Sequence, residues 1–210
     1  MLRKFENLYH GFDGAHDTEH MLRVRETAVS LARTHLPGWE WLAYVAATLH
    51  DIGLSASRED HEHVGAQIVL EDDLLRSYLT EAALEEVAHA VREHRASVGK
   101  PKTVLAKIVS DADRCSSDTS YTLYRSIRYS VEHTTHLVLE EHLENSLQHH
   151  VKKFAPGCYG RRHYFKETGE KLSEIFDPIV SLPDSSGIWD LMNAEHQTQI
   201  LAALSRNANA

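Results

Sequence analysis

The chain has 210 residues, of which 42% are hydrophobic and 25% are charged, and its formal net charge at pH 7 is -9. A hydrophobic share of this size supplies the core of a globular protein with one domain, or with one domain and an appendage. The negative charge argues against a general nucleic-acid binder, because such proteins hold phosphate backbones with clustered Lys and Arg. We therefore expect no stable nucleic-acid partner.

The sequence also bears on compartment. Its first residues have no apolar stretch like that of a signal peptide, and no segment approaches the length of a membrane span. Cys115 and Cys158 are too few and too far apart for a disulfide framework, so we expect both thiols to be reduced. These features predict a cytoplasmic protein that has no membrane partner.

The chain begins with helical signals. Residues 1–9 predict a short helix or arm before a glycine-rich turn. Asp17 or Thr18 then caps a helix that runs to about residue 34. His20 lies at the end of the apolar stripe of this helix, so its side chain is expected to face the core.

A second helix is predicted at residues 39–52. This segment is apolar almost all round, which indicates a central, buried element. Gly53 is its natural C-cap. His50 and Asp51 therefore fall in the last turn of a buried helix.

Three further helices follow. In the first, His61 shares a face with apolar residues. The second is capped by Thr80 and carries His94 at the end of its apolar stripe. The third opens at Thr103 and keeps apolar residues inward as far as the segment 110–114.

After residue 120 the prediction rests on periodicity, which indicates helices at about 120–132, 136–154 and 164–176. Strand signals are nearly absent, so the predicted class is all-α. Residues 183–187 resemble a linker before a last amphipathic helix. The predicted domains are a helical bundle with a C-terminal helical extension over residues 1–182, and a linker with a terminal helix over residues 183–210.

Several helices deliver a potential metal ligand at the edge of an apolar stripe. These are His20, the pair His50 and Asp51, His61 or His94, and one aspartate of the pair Asp111 and Asp113. Burying a carboxylate among imidazoles is costly, whereas a divalent cation offsets the charge and takes up the nitrogen lone pairs. The sequence therefore predicts a metal site.

Geometry alone does not choose between Asp111 and Asp113. Two residues on a helix lie about 200° apart around the axis, so both side chains cannot point straight at one site. Each of them nevertheless shares a helix face with an apolar residue of the inward stripe. Helical spacing therefore leaves both aspartates as candidate ligands.

Three separated motifs carry a family resemblance. They are His20 followed by Arg23 and Val24, the run Leu-His-Asp-Ile-Gly at residues 49–53, and the run Asp-Ala-Asp-Arg at residues 111–114. In this order and at these intervals they resemble the HD-domain superfamily of metal-dependent phosphohydrolases, over about residues 17–117. The resemblance implies an HD-domain-like helical bundle, here with additional C-terminal helices.

The resemblance also implies a set of ligands. In that family the pattern of His, His-Asp and Asp binds one divalent cation, which maps onto His20, His50, Asp51 and Asp113. Asp113 is favoured over Asp111 because the family's ligand is the aspartate directly followed by a basic residue. The metal expected is Mn, Fe, Co, Mg, Ni or Zn.

The resemblance also implies ligands for a second metal. His61 begins a segment like the family's His-x-x-x-Gly-Ala, and His94 occupies the place of another such ligand. Some families use these residues to hold a second cation. Their alternative role is general acid-base catalysis beside a single metal.

The implied activity is hydrolysis of a phosphate ester or anhydride by metal-activated water, with a nucleotide or a small phosphorylated metabolite as substrate. Asp51, His61 and His94 are the expected catalytic residues, and Arg114 resembles a phosphate-binding residue of related nucleotide hydrolases. For Arg23, contact with substrate and a salt bridge along its own helix remain equal alternatives.

Two other functions fit the same residues. One is a diiron oxygenase, which requires the second metal site. The other is a non-catalytic binding module that a metal stabilises. The sequence leaves the oligomeric state open, and a homodimer formed through the C-terminal helices is one option.

Overall fold

The computed structural model describes residues 2–207, and within them it contains α-helices and 3₁₀ turns but no strand. This confirms the predicted all-α class. The α-helices are α1 (Arg3–Glu6), α2 (Thr18–His35), α3 (Glu40–Leu49), α4 (His61–Glu71), α5 (Asp73–Tyr78), α6 (Glu81–Glu93), α7 (Val104–Cys115), α8 (Thr119–His133), α9 (Leu139–Phe154), α10 (Lys166–Val180) and α11 (Ala194–Asn207). The 3₁₀ turns are Asn7–Gly11, Ile52–Ser55, Tyr159–Arg161 and Ser185–Leu191.

The chain forms two compact units. The first contains the described residues up to 12, residues 16–116 and residues 163–168. The second contains residues 13–15, residues 117–162 and the described residues from 169 onward. The predicted boundary at residue 183 stays a prediction.

Helix α3 lies at the centre of the first unit. It packs against α2, α6 and α7, while α4 packs against α6. Its residues Leu42, Val45, Ala46 and Leu49 are all buried, as an apolar helix surrounded by other helices requires. The small side chains of α3 allow its neighbours to approach closely, so the residues that follow it are surrounded by protein.

In the second unit, α8 packs against α9 and α11. The rings of Phe154 and Phe176 stack with their centroids 3.5 Å apart, which anchors the end of α9. The predicted last helix begins only at Ala194, because Ile188 and its neighbours form a 3₁₀ turn instead.

The capping predictions are confirmed at two helices, where Asp17 and Thr80 accept the backbone N–H three residues further on, at the start of α2 and α6. Thr103, which was predicted to open α7, caps that helix in the same way. Each of these bonds satisfies one of the N–H groups that a helix start leaves without an intrahelical partner.

The predicted end of α3 is wrong. The helix stops at Leu49, and Gly53 lies inside the following 3₁₀ turn rather than at a C-cap. In a continuing helix the carbonyl of Ala47 would accept the N–H of Asp51. Here it accepts Nδ1–H of His50 at 2.7 Å, and the N–H of Asp51 donates to the hydroxyl of Tyr9 at 3.3 Å. The side chains of His50 and Tyr9 therefore replace the last helical hydrogen bond.

Among the described residues, no helix combines the length and the apolar character needed to cross a membrane.

Candidate metal centre

His20 is held at the first turn of α2. The Asp17 side chain accepts the backbone N–H of His20 at 3.0 Å, so Asp17 is the N-cap of a helix that starts at Thr18. From there the stripe of Met21, Val24 and Ala28 packs into the core. The imidazole of His20 is buried at the end of this stripe, as the sequence predicts.

Three histidines make the same local hydrogen bond to the backbone. In His50, His61 and His94 the ring Nδ1 lies 2.7–3.0 Å from the backbone carbonyl three residues earlier. A carbonyl oxygen only accepts, so Nδ1 carries the proton in each ring. Nε2 is then the nitrogen of each ring that is left to bind a metal, and the hydrogen bond at Nδ1 fixes the orientation of the ring.

The first group of ligands combines His20, His50, Asp51 and Asp113. His50 Nε2 lies 3.4 Å from His20 Nε2 and 3.0 Å from Asp51 Oδ2. Asp113 Oδ1 lies 3.2 Å from His20 Nε2 and 3.9 Å from His50 Nε2. Potential ligand atoms from α2 and the end of α3 therefore cluster here, and Asp113 of α7 lies beside the two histidines.

A second group lies on the other side of the same carboxylate. Nε2 of His61 and Nε2 of His94 each lie 3.5 Å from Asp51 Oδ1. His61 begins α4 and His94 follows α6, so this group depends on two helices that the first group does not use. Asp51, His61 and His94 are all buried.

Asp51 thus belongs to two triads of potential metal ligands, His20–His50–Asp51 and Asp51–His61–His94, in each of which the ligand atoms lie within 4.8 Å of one another. Its Oδ2 faces the first triad and its Oδ1 faces the second. Although Oδ2 is buried, no described residue gives it a hydrogen bond of regular geometry. A buried carboxylate oxygen in this condition is costly, and a cation would satisfy it.

The charges of the site also indicate that it binds a cation. Burial would raise the pKa of Asp51, but the nearby positive charge of His50 holds it well below the ordinary range. Burial would likewise lower the pKa of His50, and Asp51 and Asp113 raise it instead to about 9. The two carboxylates thus require positive charge between them, and a divalent cation that displaced the His50 proton would supply it.

Tyr9 is hydrogen-bonded to the backbone of the site, and it was not predicted from the sequence to be a site residue. Its hydroxyl donates to the carbonyl of Thr48 at 3.0 Å and accepts the N–H of Asp51 at 3.3 Å. Burial, and then the charge of Asp51, hold the pKa of Tyr9 well above its ordinary value, so the hydroxyl keeps its proton. The only signal in the sequence is the spacing of Phe5 and Tyr9, which puts two aromatic residues on one side of a short helical arm.

Two glycines let α4 approach the turn after Asp51. A Cβ atom at Gly53 would lie 2.0 Å from the His61 carbonyl oxygen and 2.6 Å from the backbone nitrogen of Gly65. A Cβ atom at Gly65 would meet Val91 at 3.0 Å. The close backbone contact brings His61 within reach of Asp51, and this, rather than a helix cap, is what Gly53 provides.

A salt bridge between the buried Glu62 and the partly exposed Arg95 also stabilises this region. Nη1 of Arg95 donates to Glu62 Oε2 at 3.3 Å and to the carbonyl of Glu59 at 2.7 Å. These bonds join the start of α4 to the residue after His94. Glu62 and Arg95 therefore fix the two histidines of the second triad relative to each other, although neither was predicted to be a site residue.

Asp111 and Asp113 have separate partners. Asp113 faces the histidines, whereas Asp111 pairs with Arg114 at 2.7 Å and accepts the backbone N–H groups of Tyr164 and Phe165. Burial raises the pKa of Asp111 against these bonds. The two aspartates thus point to different sides of α7, and only Asp113 lies beside the metal-ligand candidates.

The two arginines predicted to bind substrate are both in ion pairs. Arg23 pairs with Glu19 four residues earlier, with Nη2 2.9 Å from Oε1. Arg114 is buried, with its guanidinium on Asp111 and on the hydroxyl of Ser110 at 2.9 Å. A role for either in substrate binding stays a prediction.

Comparison with known proteins identifies the domain. Residues 18–118 match the HD domain family, a range that contains all six ligand candidates. Neither the curated proteins nor the solved structures gave a significant match. The matched range begins at the start of α2 and ends just after α7, so it covers the helices that build both triads. Through these residues the chain belongs to the HD-domain superfamily.

Proposed function

We propose that this protein is a metal-dependent phosphohydrolase that cleaves a phosphate ester or anhydride of a nucleotide or small phosphorylated metabolite. The observation that carries the proposal is the position of Asp51, whose two carboxylate oxygens face two different pairs of histidines. A carboxylate shared in this way is suited to join two cations. Family membership supports the same reaction class.

Each residue of the site has a role in this proposal. His20, His50 and Asp113 would hold one cation, His61 and His94 would hold the other, and Asp51 would be a ligand common to both. Such cations lower the pKa of bound water toward about 7 and polarise a phosphoryl oxygen. Help of this kind matters because the hydrolysis of phosphate monoesters is among the slowest uncatalysed reactions.

Exposure indicates the side from which a substrate enters. The side chains of Asp113 and His61 are 27% and 10% exposed, whereas those of His20, His50, Asp51 and His94 are at most 3% exposed. Asp113 and His61 therefore mark the open side of the site. The buried ligand candidates are shielded from bulk water, which strengthens their electrostatic interaction with a bound cation.

The test is a panel of nucleotides and sugar phosphates assayed for phosphate release with Mn, Co, Mg, Fe and Ni. We expect metal-dependent release by the wild type and its loss in Asp51→Ala. His63→Ala is the matched control, because His63 lies on α4 beside the site residues but is exposed. Equal release by the wild type and Asp51→Ala would refute the proposal.

A diiron oxygenase is the second candidate, and the pairing of the two triads on Asp51 favours it too, because such chemistry needs two adjacent metals. The two functions differ in what they consume. Anaerobically purified protein with two irons per chain that takes up oxygen in the presence of an organic substrate would support the oxygenase. Phosphate release without oxygen uptake would support the hydrolase.

A further inference from the structure

The first unit has a second concave site at the opposite end of α3 from the metal centre. It is a cleft of about 860 Å³ between the start of α3, the end of α5 and residues 82–89 of α6. Trp41 and His50 are nine residues apart, so at 1.5 Å per residue the cleft lies about 14 Å along the helix from the metal centre. None of the six ligand candidates lines it.

Aromatic side chains form much of its wall. Trp39, Trp41 and Tyr78 line the cleft and are 42%, 56% and 66% exposed. Large aromatic side chains gain more than most from burial, so three of them gathered around one concavity indicate a binding surface. Their ring faces carry the negative part of the aromatic quadrupole, which attracts cations.

The cleft contains two acidic residues. Glu85 and Glu86 line it together with His89, and the lining residues include no Lys or Arg in the described part of the chain. Oε2 of Glu86 is buried and has no hydrogen-bond partner among residues 2–207. The Glu86 side chain as a whole is only partly buried and lines the cleft. Its carboxylate therefore gains most from a charged N–H group that approaches it through the cleft.

Tyr44 of helix α3 already binds a guanidinium on its aromatic ring. Trp41 stacks on Tyr44 with the ring centroids 5.4 Å apart, and the guanidinium of Arg25 lies 4.4 Å from the centroid of Tyr44. One end of this aromatic row therefore holds a guanidinium from the chain itself, whereas the Trp41 end opens into the acidic cleft.

We propose that this cleft binds a small organic cation that carries N–H donors on an apolar body, such as an alkylguanidine. Its cationic head donates to Glu86 and stacks on the faces of Trp41 and Tyr78. The size of the cleft suits a small ligand, since pockets for such molecules hold about 300–1,000 Å³. The proposal is independent of the reaction catalysed at the metal centre.

The experiment is a fluorescence titration of the full chain, with Trp189 replaced by Phe so that Trp39 and Trp41 are the remaining tryptophans. The probe is n-butylguanidinium, compared with n-butylurea, which has a similar shape and N–H groups but no charge, and with tetramethylammonium, which has charge but no N–H. We expect saturable binding of butylguanidinium and at least tenfold weaker binding of the other two.

Variants locate the binding. Glu86→Gln is expected to weaken butylguanidinium at least tenfold, and so is Tyr78→Ala, which alters an exposed side chain and leaves folding intact. Glu81→Gln is the matched control, because Glu81 is an exposed acid on the same helix that does not line the cleft. No saturable binding, equal binding of butylurea, or equal weakening by Glu81→Gln would overturn the proposal. If acetyl-Gly-Arg-Gly-amide binds at least tenfold more tightly than butylguanidinium, the proposal of a small free cation is wrong, and the cleft binds an arginine of a protein segment.

Discussion

Gly53 lies so close to His61 that a Cβ atom at Gly53 would come within 2.0 Å of the His61 carbonyl oxygen. The contact joins the turn that presents Asp51 to the helix that presents His61. Because the second triad depends on the distance between those two residues, this glycine is part of the site although it can bind nothing itself.

Gly53→Ala is therefore expected to separate the triads. The backbone of α4 has to move away, at a cost of about 1–3 kcal/mol in the free energy of unfolding. The second triad should lose at least tenfold in metal affinity while the first keeps its own. Urea denaturation and metal titration measure the two effects. Gly11→Ala is the control, since a Cβ there meets nothing within 4 Å, and an equal loss in both variants would contradict the role assigned to Gly53.

The two aspartates of α7 should differ in what their removal does. Asp113→Asn removes a ligand candidate that contacts His20, so we expect loss of metal from the first triad with little change in the metal-free stability. Asp111→Ala leaves the Arg114 guanidinium buried without its partner, which costs about 3–5 kcal/mol in the free energy of unfolding. Metal content and urea denaturation of both variants check this. The reverse pattern would mean that Asp111 is the ligand.

Tyr9→Phe tests the support behind Asp51. The variant keeps the ring but loses the hydroxyl that bonds the Thr48 carbonyl and the Asp51 N–H. We expect about 1–3 kcal/mol less stability, because buried polar groups lose their partners, and a 10–100-fold lower metal affinity, as is typical when an outer partner of a ligand is removed. Tyr78→Phe changes an exposed hydroxyl and serves as the control; a similar loss of metal affinity there would show that the effect is not specific to Tyr9.

His150 should give the second unit a sensitivity to acid. Burial lowers its pKa to about 3, whereas in the unfolded chain it titrates near 6.5. Between these values the unfolded chain binds the extra proton, so stability falls as the pH falls from about 6.5 to 3, by up to about 1.4 kcal/mol per pH unit. His150→Gln should flatten this slope in urea denaturation followed across that range. The exposed His136→Gln should leave it as in the wild type, and an unchanged slope in His150→Gln would contradict the assignment.

The clustering of the ligand candidates could be predicted from the sequence because these residues lie in register with apolar stripes. His20, His61 and His94 each sit where helical spacing turns them inward, and the structure places all three in the two triads. Cap residues such as Thr80 could be predicted for a similar reason, since capping is a local interaction between residues three apart.

What the sequence could not supply depends on contacts between distant segments. The early end of α3 results from Tyr9, which lies 42 residues before Asp51 and takes over its N–H. The different directions of Asp111 and Asp113 follow from the bonds that Asp111 makes with Tyr164 and Phe165. The aromatic cleft was missed because its walls come from three helices, and none of them shows a motif of its own.

The shared role of Asp51 is tested most directly by counting metals. Metal-free protein is reloaded with Mn, freed of excess by gel filtration and analysed by elemental analysis, for the wild type and for the double variant His61→Ala/His94→Ala. We predict two Mn per chain in the wild type and one in the double variant, with none retained in Asp51→Ala. Wild-type protein that holds no Mn, or a double variant that holds as much as the wild type, would contradict the account.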